Sequence, residues 1–332
     1  MSASTRPILL FCHKSTERLA QRIIESTQKK KTSDGFQSIE LRRTIDWNHF
    51  PDGWPNLFIE SVKECAGKDV LFLANFETPE IIFEQLSVIY AFPRYLVRSF
   101  TLILPYFPTG TMERVDTEGQ IATAKTLAVM LSAIPLTGRG PAQVVLYDIH
   151  ALQERFYFSD SVIPRLETAI PLLLRRIKRL EDHGSVSIAF PDDGAYKRFN
   201  GMFDGYELIT CSKRREGTKK IVSVKDGNPS GRHVIIVDDL VQTGGTLREC
   251  SKALFSQGAT KVSAYVTHAV FPNESWRRFA WENEKTSEFR LSHFWLTDSL
   301  PGSVAIAAHD PFEVLSLSDV LSDMLLGYDL RS

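Results

Sequence analysis

The run from His233 to Thr246, HVIIVDDLVQTGGT, constrains this chain more than any other segment. The apolar residues Val234 to Val237 make a strand, two acids follow, and a Thr-Gly-Gly-Thr turn opens directly into helical spacing. The glycines let backbone N–H groups approach a ligand closely, the threonines add hydroxyl donors, and the positive end of the helix favours an anion. Asp238 and Asp239 stand ready to accept from vicinal sugar hydroxyls, directly or through Mg2+. A phosphate cradle beside diol acceptors is what a ribose 5-phosphate needs. Asp238, Asp239, Gln242, Thr243, Gly244, Gly245 and Thr246 are therefore the candidate sugar-phosphate site.

Around this run, short apolar stretches alternate with segments of helical period. Strands are expected at 8–12, 69–75, 101–104, 143–147, 186–190, 207–211, 233–237 and 262–267. Helices are expected after Ser15, after the Thr78-Pro79 cap, over 121–131, over 162–180 and from Gly244 to Ser256. That alternation implies βαβ units, mostly parallel sheets flanked by helices, with ligands at the carboxyl ends of strands. At 332 residues the α/β chain should hold two domains, divided near residue 160. The polar stretch 282–288 reads as a surface loop.

Charge and cysteine usage exclude several classes. Lys plus Arg number 39 against 40 for Asp plus Glu, so no chain-wide basic field exists to grip nucleic acid or an anionic membrane. No run approaches 18 apolar residues, so no membrane span is expected. The four cysteines, Cys12, Cys65, Cys211 and Cys250, lie far apart, which argues against a disulfide framework or zinc knot and suits a reducing compartment. The first apolar run is too short for a signal peptide, so a cytoplasmic location is expected. P-loop, GxGxxG, HExxH and GxSxG signatures are all absent.

The 233–246 run resembles the phosphoribosyl-pyrophosphate (PRPP) motif shared by type I phosphoribosyltransferases and ribose-phosphate diphosphokinases, the PRPP synthetases. Further motifs, each in family order, select the second group. Phe50-Pro-Asp52-Gly-Trp54-Pro-Asn56 resembles the family's adenine loop, and Leu104-Pro-Tyr-Phe-Pro108 its proline-aromatic loop. Asp148-Ile-His150-Ala, Pro191-Asp192-Asp193-Gly194 and Lys213-Arg-Arg215 follow, then Thr267-His268-Ala-Val-Phe271 and Thr297-Asp298-Ser-Leu-Pro301. The resemblance runs from about residue 7 to 326, and the chain is identified as a member of the PRPP synthetase family.

This resemblance implies two phosphoribosyltransferase-like domains: an ATP-side domain at 1–160, onto which 306–332 packs back, and a ribose 5-phosphate domain at 161–305. It implies transfer of the diphosphoryl group of Mg-ATP to the C1 hydroxyl of ribose 5-phosphate. Lys213 and Arg215 would act on the transferred group, and alternate residues of an extended chain point the same way. Phe50, Asp52 and Asn56 would bind ATP, with Arg114 standing in for the family's loop arginine. His150 and Asp192 would serve the Mg2+ ion. A homo-oligomer with sites shared between subunits is also implied, with no nucleic-acid or membrane partner. Gln242 where the motif usually has an acid, Trp54 in place of another, and the Thr109–Arg114 segment resemble the plant-type class, which works independently of inorganic phosphate. Two other functions fit the motif: a non-catalytic subunit associated with a synthetase, or a phosphoribosyltransferase.

Overall fold

The structure, a computed structural model, describes residues 7–30, 38–216, 219–282 and 289–327, with the backbone alone at 214–216 and 219–221. The chain divides into two compact units, Met1–Thr168 with Ser318–Ser332, and Ala169–Leu317.

The first unit carries β1 (Ile8–Cys12), β2 (Ile39–Leu41), β3 (Ile45–His49), β4 (Pro55–Ile59), β5 (Asp69–Leu73), β6 (Ser99–Leu104), β7 (Ala142–Tyr147) and β8 (Val162–Glu167). Six of these form one sheet in the order β2-β1-β5-β6-β7-β8, every pair parallel. Parallel strands need crossovers, supplied by helices Glu17–Lys30, Pro79–Arg94 and Thr123–Ser132. Thr78 caps the second of these, its Oγ1 accepting from the Ile81 amide, and Pro79 sits in the first turn, as the sequence predicts. Phe11, Phe92 and Phe100 join strands to helix, Phe92 lying 4.8 Å from Phe11 and 5.8 Å from Phe100 between ring centroids. Each buried ring contributes roughly 1.5–3 kcal/mol by leaving water. The remaining strands, β3 and β4, form an antiparallel hairpin that the strand pattern did not predict.

The second unit carries β9 (Val186–Phe190), β10 (Glu207–Glu216), β11 (Lys219–Asp226), β12 (His233–Val241), β13 (Lys261–Ala269), β14 (Phe294–Thr297) and β15 (Phe312–Leu315). Their order is β11-β10-β9-β12-β13-β14-β15, parallel throughout except for the antiparallel β10–β11 pair at the edge. Helix Gly245–Ser256 links β12 to β13 and buries Leu247, Cys250 and Leu254 on the sheet.

Several expected boundaries move for identifiable reasons. The helix expected over 162–180 starts as strand β8, and only Ile170–Ile177 is helical. Pro164 breaks helical hydrogen bonding but is tolerated on an edge strand, and β8 is the edge of its sheet. The division therefore falls at Thr168 rather than near 160. At the other end, β15 still belongs to the second sheet, and the return to the first unit begins at Ser318 rather than 306. Helix Ser318–Leu325 packs on Glu17–Lys30, with Ser322 Oγ 2.8 Å from Ser26 Oγ and Lys30 Nζ 2.7 Å from Asp323. The helix after β1 is entered through a 3-10 turn, in which the His13 ring rather than Ser15 accepts the first amide, from Ser15 N at 3.3 Å.

Candidate active site

The acids and the glycine turn lie at the carboxyl edge of the second sheet, where parallel α/β sheets place ligands. Strand β12 continues through both acids to Val241, four residues beyond the expected end at 237. Asp239 is buried, and its amide donates to Asp238 Oδ1 at 3.0 Å. Burial first, then the Asp239 charge and a carboxyl–carboxyl hydrogen bond, and lastly Asp192, push the Asp238 carboxyl well above the usual range. Two carboxyls this close favour keeping a proton between them.

The turn that follows has two dissimilar glycines. Gly244 is left-handed, at φ 74°, and a Cβ there would lie 2.3 Å from the Phe279 ring. Gly245 meets no such obstacle: the nearest atom to its would-be Cβ is Thr243 Oγ1, at 3.9 Å. No side chain caps the helix that starts at Gly245, so its leading amides are not spent on a capping side chain. Gln242 and Thr243 are exposed, Thr246 is half-buried, and the Gln242 carbonyl accepts from Ser275 Oγ at 3.2 Å.

Strand β9 pairs with β12, which puts the segment after β9 next to the acids. Asp192 there caps helix Asp193–Phe199, its Oδ1 accepting from the amides of Gly194 and Ala195 at 3.0 Å each. Asp193 is ion-paired with Lys225 at 2.9 Å. Lys213 is exposed on β10 opposite Val222, and the Arg215 backbone continues the same strand opposite Lys220; the Arg215 side chain lies outside the described residues. This segment is thus one arm of a β-hairpin, extended as the sequence reading has it and continuing well past the expected strand end at 211. On the neighbouring strands, Thr297 Oγ1 and Ser299 Oγ both donate to the Thr267 carbonyl, at 2.7 and 2.9 Å, and His268 Nδ1 lies 3.0 Å from Ser299 Oγ.

The remaining candidates belong to the first unit. Phe50, Asp52 and Asn56 share the β3–β4 hairpin. Its tip closes by Phe50 N to Trp54 O at 2.8 Å and Gly53 N to Phe50 O at 2.9 Å, with Asp52 Oδ1 accepting from Trp54 N at 3.2 Å. Arg114 is not on this hairpin; its exposed guanidinium lies 3.4 Å from Asp116. His150 is exposed just past the carboxyl end of β7, after buried Asp148, whose φ is +38°. Residues 283–288, most of the stretch expected to form a surface loop, lie outside the described residues.

Sequence reasoning missed Phe279, which backs Gly244, because nothing in a lone phenylalanine announces what it packs against. It also missed His13, His49 and Glu84. An acid on the buried stripe of helix Pro79–Arg94 was the available signal for Glu84. Among the described residues, no helix is long and apolar enough to cross a membrane.

Comparison with known proteins follows the same division. Residues 8–134 match a family model described as the N-terminal domain of ribose phosphate pyrophosphokinase, and 197–287 match the phosphoribosyl transferase domain. The chain is 53% identical over 321 residues to ribose-phosphate pyrophosphokinase 4 of Oryza sativa subsp. japonica, covering 96% of each. It is 55% identical over 284 residues to ribose-phosphate pyrophosphokinase 4 of Arabidopsis thaliana, covering 85% of this chain and 84% of that one. Over 322 residues it is 50% identical to the mitochondrial ribose-phosphate pyrophosphokinase 3 of Spinacia oleracea, covering 97% of this chain and 77% of the relative. In fold it resembles the phosphoribosylpyrophosphate synthetase of Mycobacterium smegmatis, with a TM-score of 0.77 at 20% identity, covering 98% of this chain and all of the other.

Proposed function

The chain belongs to the ribose-phosphate pyrophosphokinase family, and from that premise we propose how its residues divide the reaction. The enzyme transfers the diphosphoryl group of ATP to the C1 hydroxyl of ribose 5-phosphate, giving 5-phosphoribosyl 1-diphosphate and AMP. The C1 oxygen attacks the β-phosphorus, the bond between that phosphorus and the α-bridging oxygen breaks, and the hydroxyl proton passes to solvent. A loose phosphoryl transition state asks mainly for position and charge stabilisation.

The backbone amides and hydroxyls of Thr243 to Thr246 hold the 5-phosphate, and Asp238 with Asp239 holds the ribose diol. The observation that carries this assignment is Gly245, whose lack of a side chain the fold itself does not require. Open space over uncapped helix amides is what an incoming phosphate uses. Gln242 lies at the rim of the same turn. Lys213 and Arg215 draw off charge as it spreads over the transferred group. Phe50, Asp52, Asn56 and Arg114 bind the nucleotide.

Mg2+ fits these residues. The donors around Asp238 are hard oxygens with surplus negative charge, and Mg2+ is usually held by one or two carboxylates plus substrate phosphates. It needs no cage of three or more protein ligands, and none is present among the described residues. Asp238 and Asp239 would serve the cation of the ribose, and His150 and Asp192 would each serve the Mg2+ of the nucleotide. When bound, it neutralises polyphosphate charge and orients the β-phosphorus. Asp192 also fixes the helix it caps, so its second oxygen alone faces this task.

We propose further that the enzyme needs no inorganic phosphate, a reading that rests on Gln242, Trp54 and the Thr109–Arg114 segment. A cytoplasmic location is supported by four cysteines that remain free. A homo-oligomer with shared sites is supported by Phe50, Trp54 and Phe58, 50%, 61% and 62% exposed on one hairpin, rings that a second copy would cover. Nucleic acid is not a partner at a net charge of −1. AMP release from ATP and ribose 5-phosphate, followed with and without inorganic phosphate, tests the reading. Release without phosphate supports it, whereas no AMP from the purified chain would return the non-catalytic subunit to favour.

A further inference from the structure

Helix Pro79–Arg94 turns one stripe, Glu84, Val88 and Phe92, toward the core, and its two apolar members are almost wholly buried. Glu84 is equally hidden, at 5% exposed, so a carboxylate stands where the pattern calls for a hydrocarbon. A charge at such a place needs partners. Glu84 Oε1 lies 2.7 Å from His49 Nε2, its hydrogen-bond partner, while Oε2 stands 4.0 Å from His13 Nε2, beyond hydrogen-bond reach. Burial, opposed by the Glu84 charge, lowers the His13 pKa to about 4, so His13 is neutral near pH 7. Its Nδ1 accepts the Ser15 amide, which puts the ring proton on Nε2, toward Glu84.

His49 is the last residue of β3, directly before Phe50. Along β3, Ile45 and Trp47 are half-buried while Asp46, Asn48 and His49 are exposed, and alternation puts His49 on the face that Ile45 and Trp47 share. Ile45 and Trp47 pack on the core, Trp47 edge-on to His13 at 4.8 Å. His49 is the next residue on that face, and what it meets is Glu84. A second tie joins the same hairpin to the same helix at the preceding helix position: the Trp54 and Phe83 rings meet edge to face at 5.6 Å.

We infer that Glu84 and His49 are positioning residues that fasten the β3–β4 hairpin to helix Pro79–Arg94 and so set where its tip, with Phe50 and Asp52, presents itself to ATP. This rests on the nucleotide role proposed above for Phe50 and Asp52. The hydrophobic inner face holds the base of the hairpin, while the His49–Glu84 hydrogen bond and the Trp54–Phe83 ring contact hold its tip. A charge-assisted bond to a shielded carboxylate is stronger than a neutral one and is directional, which a purely apolar contact is not.

The test compares steady-state kinetics of the full chain carrying His49→Leu, His49→Gln or Phe50→Ala. The His49 side chain is 37% exposed, so leucine fits in its place, while buried Glu84 loses its 2.7 Å partner. His49→Leu is expected to raise KM for ATP about tenfold, with KM for ribose 5-phosphate unchanged and kcat within about threefold. His49→Gln, whose amide nitrogen restores a donor to Glu84, is expected to return KM for ATP to within about twofold. If Phe50→Ala raises KM for ATP and His49→Leu does not, the clamp is wrong while the nucleotide loop stands. If neither variant moves it, the nucleotide loop itself falls, and the clamp with it. Equal increases in both KM values for His49→Leu would mark general loosening and also overturn the inference. Should His49→Leu fail to fold, Phe83→Ala, at a position 51% exposed, severs the second tie and is read by the same split.

Discussion

The ring of Phe279 fills the space that a side chain on Gly244 would need, its Cε2 and Cζ lying 2.3 and 2.6 Å from the site of a Cβ. With φ at 74°, Gly244 is glycine for the sake of the fold, whereas Gly245 has no such reason. Gly244→Ala should therefore destabilise the protein by about 2–4 kcal/mol in urea unfolding. Gly245→Ala should cost under about 1 kcal/mol yet raise KM for ribose 5-phosphate at least tenfold. Equal stability losses in the two variants would refute the distinction.

The sugar-binding role proposed for Asp238 sets function against stability. Burial, with help from the Asp239 and Asp192 charges, raises its folded pKa well above the ordinary 3.8. The stability it contributes is full below that ordinary value and is lost as pH rises through the folded one. A neutral amide of the same shape carries no such penalty. Ligand-free Asp238→Asn should be more stable than the native chain at pH 8, by about 1–2 kcal/mol. Its kcat/KM for ribose 5-phosphate should fall about 100-fold. A variant less stable than native across the whole pH range would show that the acid is there for packing.

At the opposite end of the same sheet, Asp182 accepts from Lys261 Nζ at 2.8 Å and lies 3.1 Å from His233 Nδ1. Burial works against its ionisation, but the Lys261 and His233 hydrogen bonds outweigh it and lower the pKa from 3.8 to about 2. Stability from this group is present above pH 3.8 and is lost as pH falls through about 2. Discounted for partial exposure, the loss is about 1 kcal/mol. Denaturant midpoints measured between pH 2 and 5 should fall more steeply for the native chain than for Asp182→Asn, and parallel curves would remove Asp182 from the account.

Lys213 is exposed on a hairpin arm, so its removal should leave the fold intact. Lys213→Ala is expected to cost on the order of 10³-fold in kcat, with little change in thermal midpoint. A loss below about threefold in AMP release would take Lys213 out of the mechanism.

How far the sequence could be read depended on how local the governing interaction is. The strand–turn–helix unit was legible because strand, acids, glycines and helix start are contiguous from His233 to Thr246, and the structure keeps them so. The Thr78-Pro79 helix start was legible for the same reason. The 162–180 segment was misread because Pro164 is forbidding only to a helix, and nothing nearby says that β8 lies at a sheet edge. The β3–β4 hairpin escaped notice because exposed Phe58 blurs the alternation of two short strands and Pro51 and Pro55 interrupt it. Phe279 and Glu84 act across long sequence separations, against Gly244 and His49, and only tertiary structure pairs them.

The most direct test uses ribose 5-phosphate carrying 18O on C1, incubated with the purified chain, ATP and Mg2+, the products being weighed by mass spectrometry. One AMP should appear for each 5-phosphoribosyl 1-diphosphate formed, with the heavy oxygen kept between C1 and the incoming phosphorus. ADP in place of AMP, or loss of the heavy oxygen from the product, would contradict attack by the sugar's C1 oxygen on the β-phosphorus.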